Sequence, residues 1–325
     1  MTRNLSGKKL LRDTGNLAKR HVMICIAIVL LIVCSVASPK FLTFSNILSI
    51  FRQNTIVGVL AVGECIAIIA GGIDASLAQI MCAGVMVLGK AQGYPFPVCC
   101  LIVLAFCFAM GTISGVAVAY FNVVPFIATL ATGLIADGVA LIINYGKPLY
   151  WTNSHQDFIK TMGTGSIAGI PNMVVALVLI VVIGQFILSK TRLGYSWRTI
   201  GGNKQAAYWS GINSKLYQML SLSCSGMMAG VAAILMIARV GTSDPTAGNT
   251  MTSDAMAAAV LGGTFIGGKG KGSIAGALLG TFMLGMINNI FNLAGFSTYL
   301  QSVTKGIVII IAVVIGSKQI SSSSN

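Results

Sequence analysis

Only seven acidic residues occur in this 325-residue chain, and three of them, Glu64, Asp74 and Asp137, fall within or at the ends of long apolar runs. A carboxylate in such a place costs at least a few kcal/mol unless it meets a partner, a cavity or a water-filled path, so these residues mark places where an ion or polar solute could be handled. Asp74 stands in Ala70-Gly71-Gly72-Ile73-Asp74-Ala75-Ser76, where the Gly-Gly pair breaks an apolar segment and Asp74 with Ser76 could cap the helix that follows. Helix capping and a direct part in translocation are both open to it. Asn288 and Asn289, with Asn292, sit in a small-residue helix and offer amides either to a polar solute or to an adjacent helix.

No other constellation suggests bond-making chemistry. Of the two histidines, His21 lies at the edge of an apolar run and His155 in a loop, neither beside a nucleophile or carboxylate pair. The stretch Gly262-Gly263-Thr264-Phe265-Ile266-Gly267-Gly268-Lys269-Gly270-Lys271-Gly272-Ser273 only superficially resembles a phosphate loop, because Lys269 and Lys271 are each followed by Gly rather than Ser or Thr. Eight cysteines (Cys25, Cys34, Cys65, Cys82, Cys99, Cys100, Cys107 and Cys224) lie in or beside apolar segments without metal-ligand spacing, and read as small buried hydrophobes. The chain is expected to be no enzyme, to bind no metal or cofactor, and to hydrolyse no ATP by itself.

The elements that must position these residues are helices in a membrane. The chain is 55% hydrophobic and 9% charged, with a mean hydropathy of +0.87, which a soluble fold cannot accommodate. Its net charge of +14 sits mainly between apolar runs, where it fixes orientation and faces anionic lipid, so nucleic acid is not an expected partner. Apolar runs near 22–38, 46–70, 76–89, 96–120, 123–143, 172–189, 216–238, 254–268, 273–291 and 298–316 predict an all-α polytopic protein of about ten transmembrane helices. Some are shorter than the roughly 20 residues needed to cross the bilayer, so several are expected to be tilted, broken or re-entrant. The basic segment 1–21 resembles the start of a signal peptide but lacks a convincing cleavage site, and the first helix is read as retained.

With the N-terminus in the cytoplasm, inner segments hold fourteen of the 21 Lys and Arg residues, including Lys190, Arg192, Arg198, Lys204 and Lys215 between 190 and 215. Both termini, the tail 317–325 included, are then cytoplasmic, and residues 22–316 form one transmembrane domain. The segment 144–171, with Tyr145, Trp151, His155 and Asp157, becomes the longest outer piece, its Tyr and Trp read as interfacial anchors. Gly272, Gly276 and Gly280 recur at a spacing of four and would share a helix face where another backbone comes close. Segments 61–89 and 256–285 look loosely alike, each passing from an Ala-rich helix through Gly-Gly into a second small-residue helix. That hints at a duplication, with parallel and inverted arrangements both open.

Thr191 to Ile212 is a basic, non-hydrophobic stretch in an otherwise apolar chain and carries two tryptophans. In a chain without a soluble domain or a nucleotide loop, it is the natural contact for a soluble motor. Four stretches together resemble a known family: Gly71-Gly72-Ile73-Asp74 with Ser76; Pro125-Phe126-Ile127-Ala128-Thr129-Leu130-Ala131-Thr132; Ile200-Gly201-Gly202-Asn203 with Ala206-Ala207 and Ser210-Gly211-Ile212; and Ser243-Asp244-Pro245-Thr246-Ala247-Gly248 leading into Asp254 to Thr264. Over about residues 22–316 the chain is similar to the permease subunits of bacterial ABC importers for simple sugars, of the ribose, xylose, arabinose and galactose type. It departs from the family pattern at Ala75-Ser76-Leu77-Ala78, where Leu-Ser-Val-Gly is usual, and at Asp137, where a basic residue is common.

The resemblance implies a plasma-membrane permease acting as a homodimer or with a related permease, two cytoplasmic ATPase subunits that bind ATP and Mg, and a soluble sugar-binding protein on the outer face. It implies that a coupling loop built from Arg198, Gly201, Gly202, Asn203, Ala206, Ala207, Trp209, Gly211 and Ile212 contacts the ATPase, with Arg198 and Lys204 solvating its rim. Gly71, Gly72, Asp74, Ser76, Thr129, Asn288 and Asn289 are the candidates for the translocation path or its helix breaks. The competing reading is an ion-coupled secondary transporter of a small polar solute, relying on Glu64, Asp74 and Asp137; a passive channel or membrane scaffold is a further one.

Overall fold

The computed structural model describes residues 22–152, 156–264, 270–297, 299–307 and 310. The basic segment 1–21, the tail 317–325, His155 and Lys269 lie outside the described residues. Every expected apolar run contains helix. In chain order these are α1 (Val22–Ala37), α2 (Phe44–Ile69), α3 (Leu77–Lys90), α4 (Phe96–Tyr120), α5 (Pro125–Ile143), the short α6 (Gln156–Thr164), α7 (Asn172–Lys190), α8 (Arg192–Gly202), α9 (Lys204–Trp209), α10 (Ser214–Val240), α11 (Met251–Leu261) and α12 (Ile274–Leu293), followed by helical residues 299–307. Six of them, α2, α4, α5, α7, α10 and α12, are long and apolar enough to cross a membrane, while Met23–Ala37, α3 and α11 are shorter apolar helices.

Starts and stops follow local chemistry. Pro125 opens α5 and Pro97 lies in the first turn of α4, positions where the missing N–H costs nothing. Gly241, at φ 74°, closes α10 with its N–H on the Ile237 carbonyl. The expected helix over 254–268 ends early, at Leu261, because Gly262 and Gly263 turn the chain with Gly263 at φ 85°. Residues 144–171 hold more structure than expected: α6, a two-residue ladder β2 (Ser166–Ile167) with β3 (Ile170–Pro171), and β1 (Leu149–Tyr150), which pairs antiparallel with β4 (Thr242–Ser243). Trp151, expected as an interfacial anchor, is buried within the protein, whereas Tyr145 is exposed.

α2 is central, with 83% of its most apolar window buried, whereas α4 and α7 bury 28% of theirs and present Leu101, Ile113, Val182 and Phe186 outward. Those outward faces are apolar because lipid, rather than protein, is their solvent. α10 runs beside α2 and locks onto α4 through a seam of small residues. Gly111 and Gly115 on α4 oppose Leu222 and Met219, and Gly226 on α10 lies so close to Gly111 that an added Cβ would sit 3.0 Å from its Cα. Such seams hold membrane helices because lipid tails remove the usual hydrophobic drive, leaving close packing to do it. Gly226→Leu is therefore expected to cost about 3 kcal/mol, seen as a lower unfolding midpoint in detergent; an unchanged midpoint would mean that the seam is looser than described.

The helix ends sort into two groups. At one end lie the C-termini of α2, α4 and α7, the N-termini of α3, α5, α10 and α12, and the α8–α9 hairpin, whose neighbour Lys215 places its ammonium over the Tyr120 ring at 5.7 Å. At the far end lie α6 and β1 to β4, where Arg52 donates to the Gly163 carbonyl at 3.1 Å and Arg239 to the Gln53 carbonyl at 2.9 Å.

Candidate functional site

Two helix breaks of the same geometry meet at the hairpin end. In the first, the N–H groups of Gly71 and Gly72 bond the carbonyls of Ile68 and Ala67 at 3.0 and 2.9 Å, with Gly71 at φ 91°. In the second, Gly263 and Thr264 bond Val260 and Ala259 at 2.9 and 3.0 Å, with Gly263 at φ 85°. Both are helix ends closed through a left-handed glycine, so the likeness between segments 61–89 and 256–285 extends to backbone geometry. α8 lies against Ile69 and Gly71 at the first break through Gly201 and bonds Gly270 and Gly272, between the second break and α12, through Arg198, so the breaks lie at the same end and the two segments run in the same direction. Gly276 and Gly280 bring α12 against the backbone of α11, as their spacing predicts, whereas Gly272 precedes the helix and packs on Thr264.

Asp74 shapes the first break. One carboxylate oxygen accepts from the Ser76 backbone N–H at 3.0 Å and from the Ser76 hydroxyl, a turn that leads into α3. Ser76 is the N-cap of α3 but its side chain makes no capping bond, so Asp74 orders the turn before the helix rather than capping it. A cap from elsewhere in the chain replaces it: Thr252 on α11 accepts from the Ala78 N–H at 3.0 Å. Sequence alone could not find this contact between residues 174 positions apart. Thr129 forms the floor of the break, accepting from the Ala75 N–H at 3.0 Å and facing the Ile73 and Pro125 carbonyls at 3.2 and 2.9 Å. Asp74→Ala removes an acceptor from two buried donors and is expected to cost about 1–3 kcal/mol, read as a lower unfolding midpoint and reduced uptake. Asp74→Asn keeps one acceptor oxygen and should recover most of that loss; equal behaviour of the two variants would refute the role of the turn.

Glu64 is fully buried on α2, and among the described residues neither of its oxygens, nor the second oxygen of Asp74, has a hydrogen-bond partner. Among the described residues the one ion pair lies elsewhere, Lys305 to Asp254 at 3.0 Å. Asn289 forms a reciprocal amide pair with Asn46 on α2 at 2.9 and 3.0 Å, so its amide is taken up in joining helices, while the buried Asn288 side-chain oxygen has no partner among the described residues.

Two asparagines cap helices at the hairpin. Asn203 accepts from the Gln205 and Ala206 N–H groups, both at 3.0 Å, to start α9, and Asn213 accepts from Leu216 at 3.1 Å to start α10. Gly211, at φ 77°, makes the turn between them. The two tryptophans divide. Trp197 is 1% exposed and donates to the Tyr217 carbonyl at 2.9 Å, which removes it from any lipid or partner surface. Trp209 is 81% exposed, edge-on to the exposed Tyr208, and borders an open groove of about 620 Å³ shared with Ile212 and Lys215.

Gly211 also lines the groove, Gly202, Asn203 and Ala206 are exposed, Ile212 is half-buried, and Gly201 and Ala207 are buried. The expected rim cations are both engaged: Arg198 turns inward to the Gly270 and Gly272 carbonyls at 3.2 and 2.9 Å, and Lys204 donates to Gln218 at 2.8 Å. The hairpin thus has one face fixed to the helix breaks and one open face that is aromatic and small. Such a face suits a rigid partner groove.

A family model described as branched-chain amino acid transport system / permease component matches residues 46–313. The chain is 33% identical over 321 residues to the ribose import permease protein RbsC of Escherichia coli strain K12, covering 98% of this chain and 99% of that protein. It is 37% identical over 293 residues to the Bacillus subtilis strain 168 protein of the same name, covering 90% of each. With the D-allose transport system permease protein AlsC of Escherichia coli strain K12 it shares 35% identity over 292 residues, 89% of this chain and 88% of that one. No solved structure matches. A family match spanning α2 to the last helix, together with near full-length relatives above 30% identity, establishes that the chain belongs to the family of transport-system permease components.

Proposed function

We propose that this chain is the membrane permease subunit of an ATP-binding-cassette importer for a simple sugar. The observation that carries the reading is the α8–α9 hairpin: its inner face is seated on both helix breaks while its outer face, around Gly202, Ala206 and Trp209, is open. The relatives named for ribose and D-allose support a monosaccharide as the solute. In this reading ATP and Mg are bound by a separate cytoplasmic ATPase, the hairpin end faces the cytoplasm with both termini, and the far end receives a soluble binding protein. The setting is the bacterial plasma membrane, and the working unit contains a second copy of the chain or a related permease.

Transport then follows from differential affinity. ATP closes the motor dimer, the hairpin carries that movement to the breaks, and the path opens toward the loaded binding protein; hydrolysis resets it. Coupling requires that motor and binding protein each prefer one of the two states, since a ligand with equal affinity for both shifts nothing. The paucity of polar residues in the spans fits a path that delegates selectivity to the soluble receptor. In proteoliposomes carrying the permease, ATPase and binding protein, solute uptake is expected only with ATP. Uptake driven by an ion gradient without the ATPase would favour the secondary-transporter reading, and flux without nucleotide or gradient would favour a passive channel.

A further inference from the structure

Arg198 and Gly201 are three positions apart on α8 and so project from one face of the helix. That face meets the two breaks at separate points. Gly201 lies against the first: a Cβ at position 201 would overlap the Ile69 carbonyl oxygen, and one at Gly71 would stand 3.6 Å from the Gly201 Cα. Arg198 grips the second: its guanidinium bridges the Gly270 and Gly272 carbonyls at 3.2 and 2.9 Å, immediately before Ser273 caps α12. Gly270, at φ 59°, passes so near the Arg198 backbone that only a residue without a side chain fits. The second break also touches α2 just before the first, through the Thr264 hydroxyl and the Cys65 thiol at 3.2 Å.

We propose that Arg198 is the positioning residue that yokes the hairpin to the second break, so that one movement of α8 displaces α2–α3 and α11–α12 together. The contact at Gly201 is steric and can only push. The contact at Arg198 is a pair of charge-assisted hydrogen bonds and can also pull. The guanidinium holds the two carbonyls from separate nitrogens of one charged, planar fork; a neutral amide offers two N–H groups on a single nitrogen and no charge, and an alkyl side chain offers none. A permease joined to its motor only through Gly201 would follow the hairpin in one direction of the cycle and slip in the other.

This rests on the reading of the hairpin as the motor contact, and the test separates the two. Arg198→Ala and Arg198→Gln are reconstituted as the complete complex with ATPase and binding protein, and solute delivered per ATP hydrolysed is measured beside copurification of the ATPase. The yoke predicts that the transport-to-hydrolysis ratio falls at least tenfold in Arg198→Ala and by an intermediate factor in Arg198→Gln, with the ATPase still copurifying. An unchanged ratio in either variant would overturn it, as would loss of the ATPase from both, which would make Arg198 a docking residue instead. Should Arg198→Ala fail to fold, the ratio in Arg198→Gln decides alone. Failure of the functional reading itself would show in the unsubstituted complex, as absence of ATP-dependent uptake.

Discussion

Gly202→Glu combined with Ala206→Glu is expected to reduce recovery of the cognate ATPase in a pull-down by about tenfold or more, equivalent to about 1.4 kcal/mol, while the unfolding midpoint of the permease stays close to that of the parent. Both positions are exposed on the open face of the hairpin, where substitutions usually change stability by less than about 0.5 kcal/mol. The loss of binding has a clear cause. Gly202 and Ala206 flank the Asn203 cap, and each leaves room for a partner to approach the backbone. A carboxylate there brings bulk and a desolvation cost into a small-residue and aromatic contact. Undiminished copurification would remove the docking assignment, and a lowered midpoint would show that these residues serve the fold.

One residue earlier, the expected outcome is the opposite. Gly201→Val should destabilise the permease by about 3 kcal/mol or more and abolish uptake, whereas Gly202→Val should fold normally. Gly201 is buried and its missing Cβ is occupied by the Ile69 carbonyl, with the Gly71 nitrogen 3.3 Å from where it would stand. The obstacle is backbone on both sides, so no rotamer change relieves it. The valine must push α8 off the first break, and the hairpin loses the seat through which it would act. The unfolding midpoint and uptake of the two variants, measured side by side, check this; equal stability of the pair would contradict the seating of α8 on the break.

What the sequence discloses here is mostly what is local. Apolar runs locate the helices because each must be solvated by lipid or by its neighbours along its whole length. Thr191, Asn203 and Asn213 are legible as caps because they bond amides within three residues of themselves. At Asp74 the sequence offered a cap for the next helix, and the bonds instead stay within the turn, to Ser76 two residues on. The early end of α11 was harder to see: Ala255 to Leu261 runs into Gly262, Gly263 and Thr264 without a polar interruption, and a Gly-Gly pair inside an apolar run is also compatible with tight helix packing.

Contacts made across the chain leave no local trace. Trp197 looks like an interfacial residue until the Tyr217 carbonyl, 20 positions away, is seen to satisfy its indole N–H. Arg198 looks like a solvated rim cation until the carbonyls 72 and 74 positions away claim it. Asn289 could have faced a solute, but Asn46, 243 positions distant, completes both of its amide bonds. The likeness of segments 61–89 and 256–285 was visible, whereas their common direction needed the contacts of α8 with Ile69 and Gly71 and with Gly270 and Gly272.

A photo-crosslinking amino acid placed at Trp209, on the open face of the hairpin, and separately at Tyr299, exposed just after α12 at the far end, tests the central claim most directly. Irradiated in the membranes of cells that also express the ATPase and binding protein, the variant at position 209 is predicted to capture the ATPase and the variant at 299 to leave it uncaptured. Capture of the ATPase from position 299, or its absence at 209 alongside intact ATP-dependent uptake, would contradict the account.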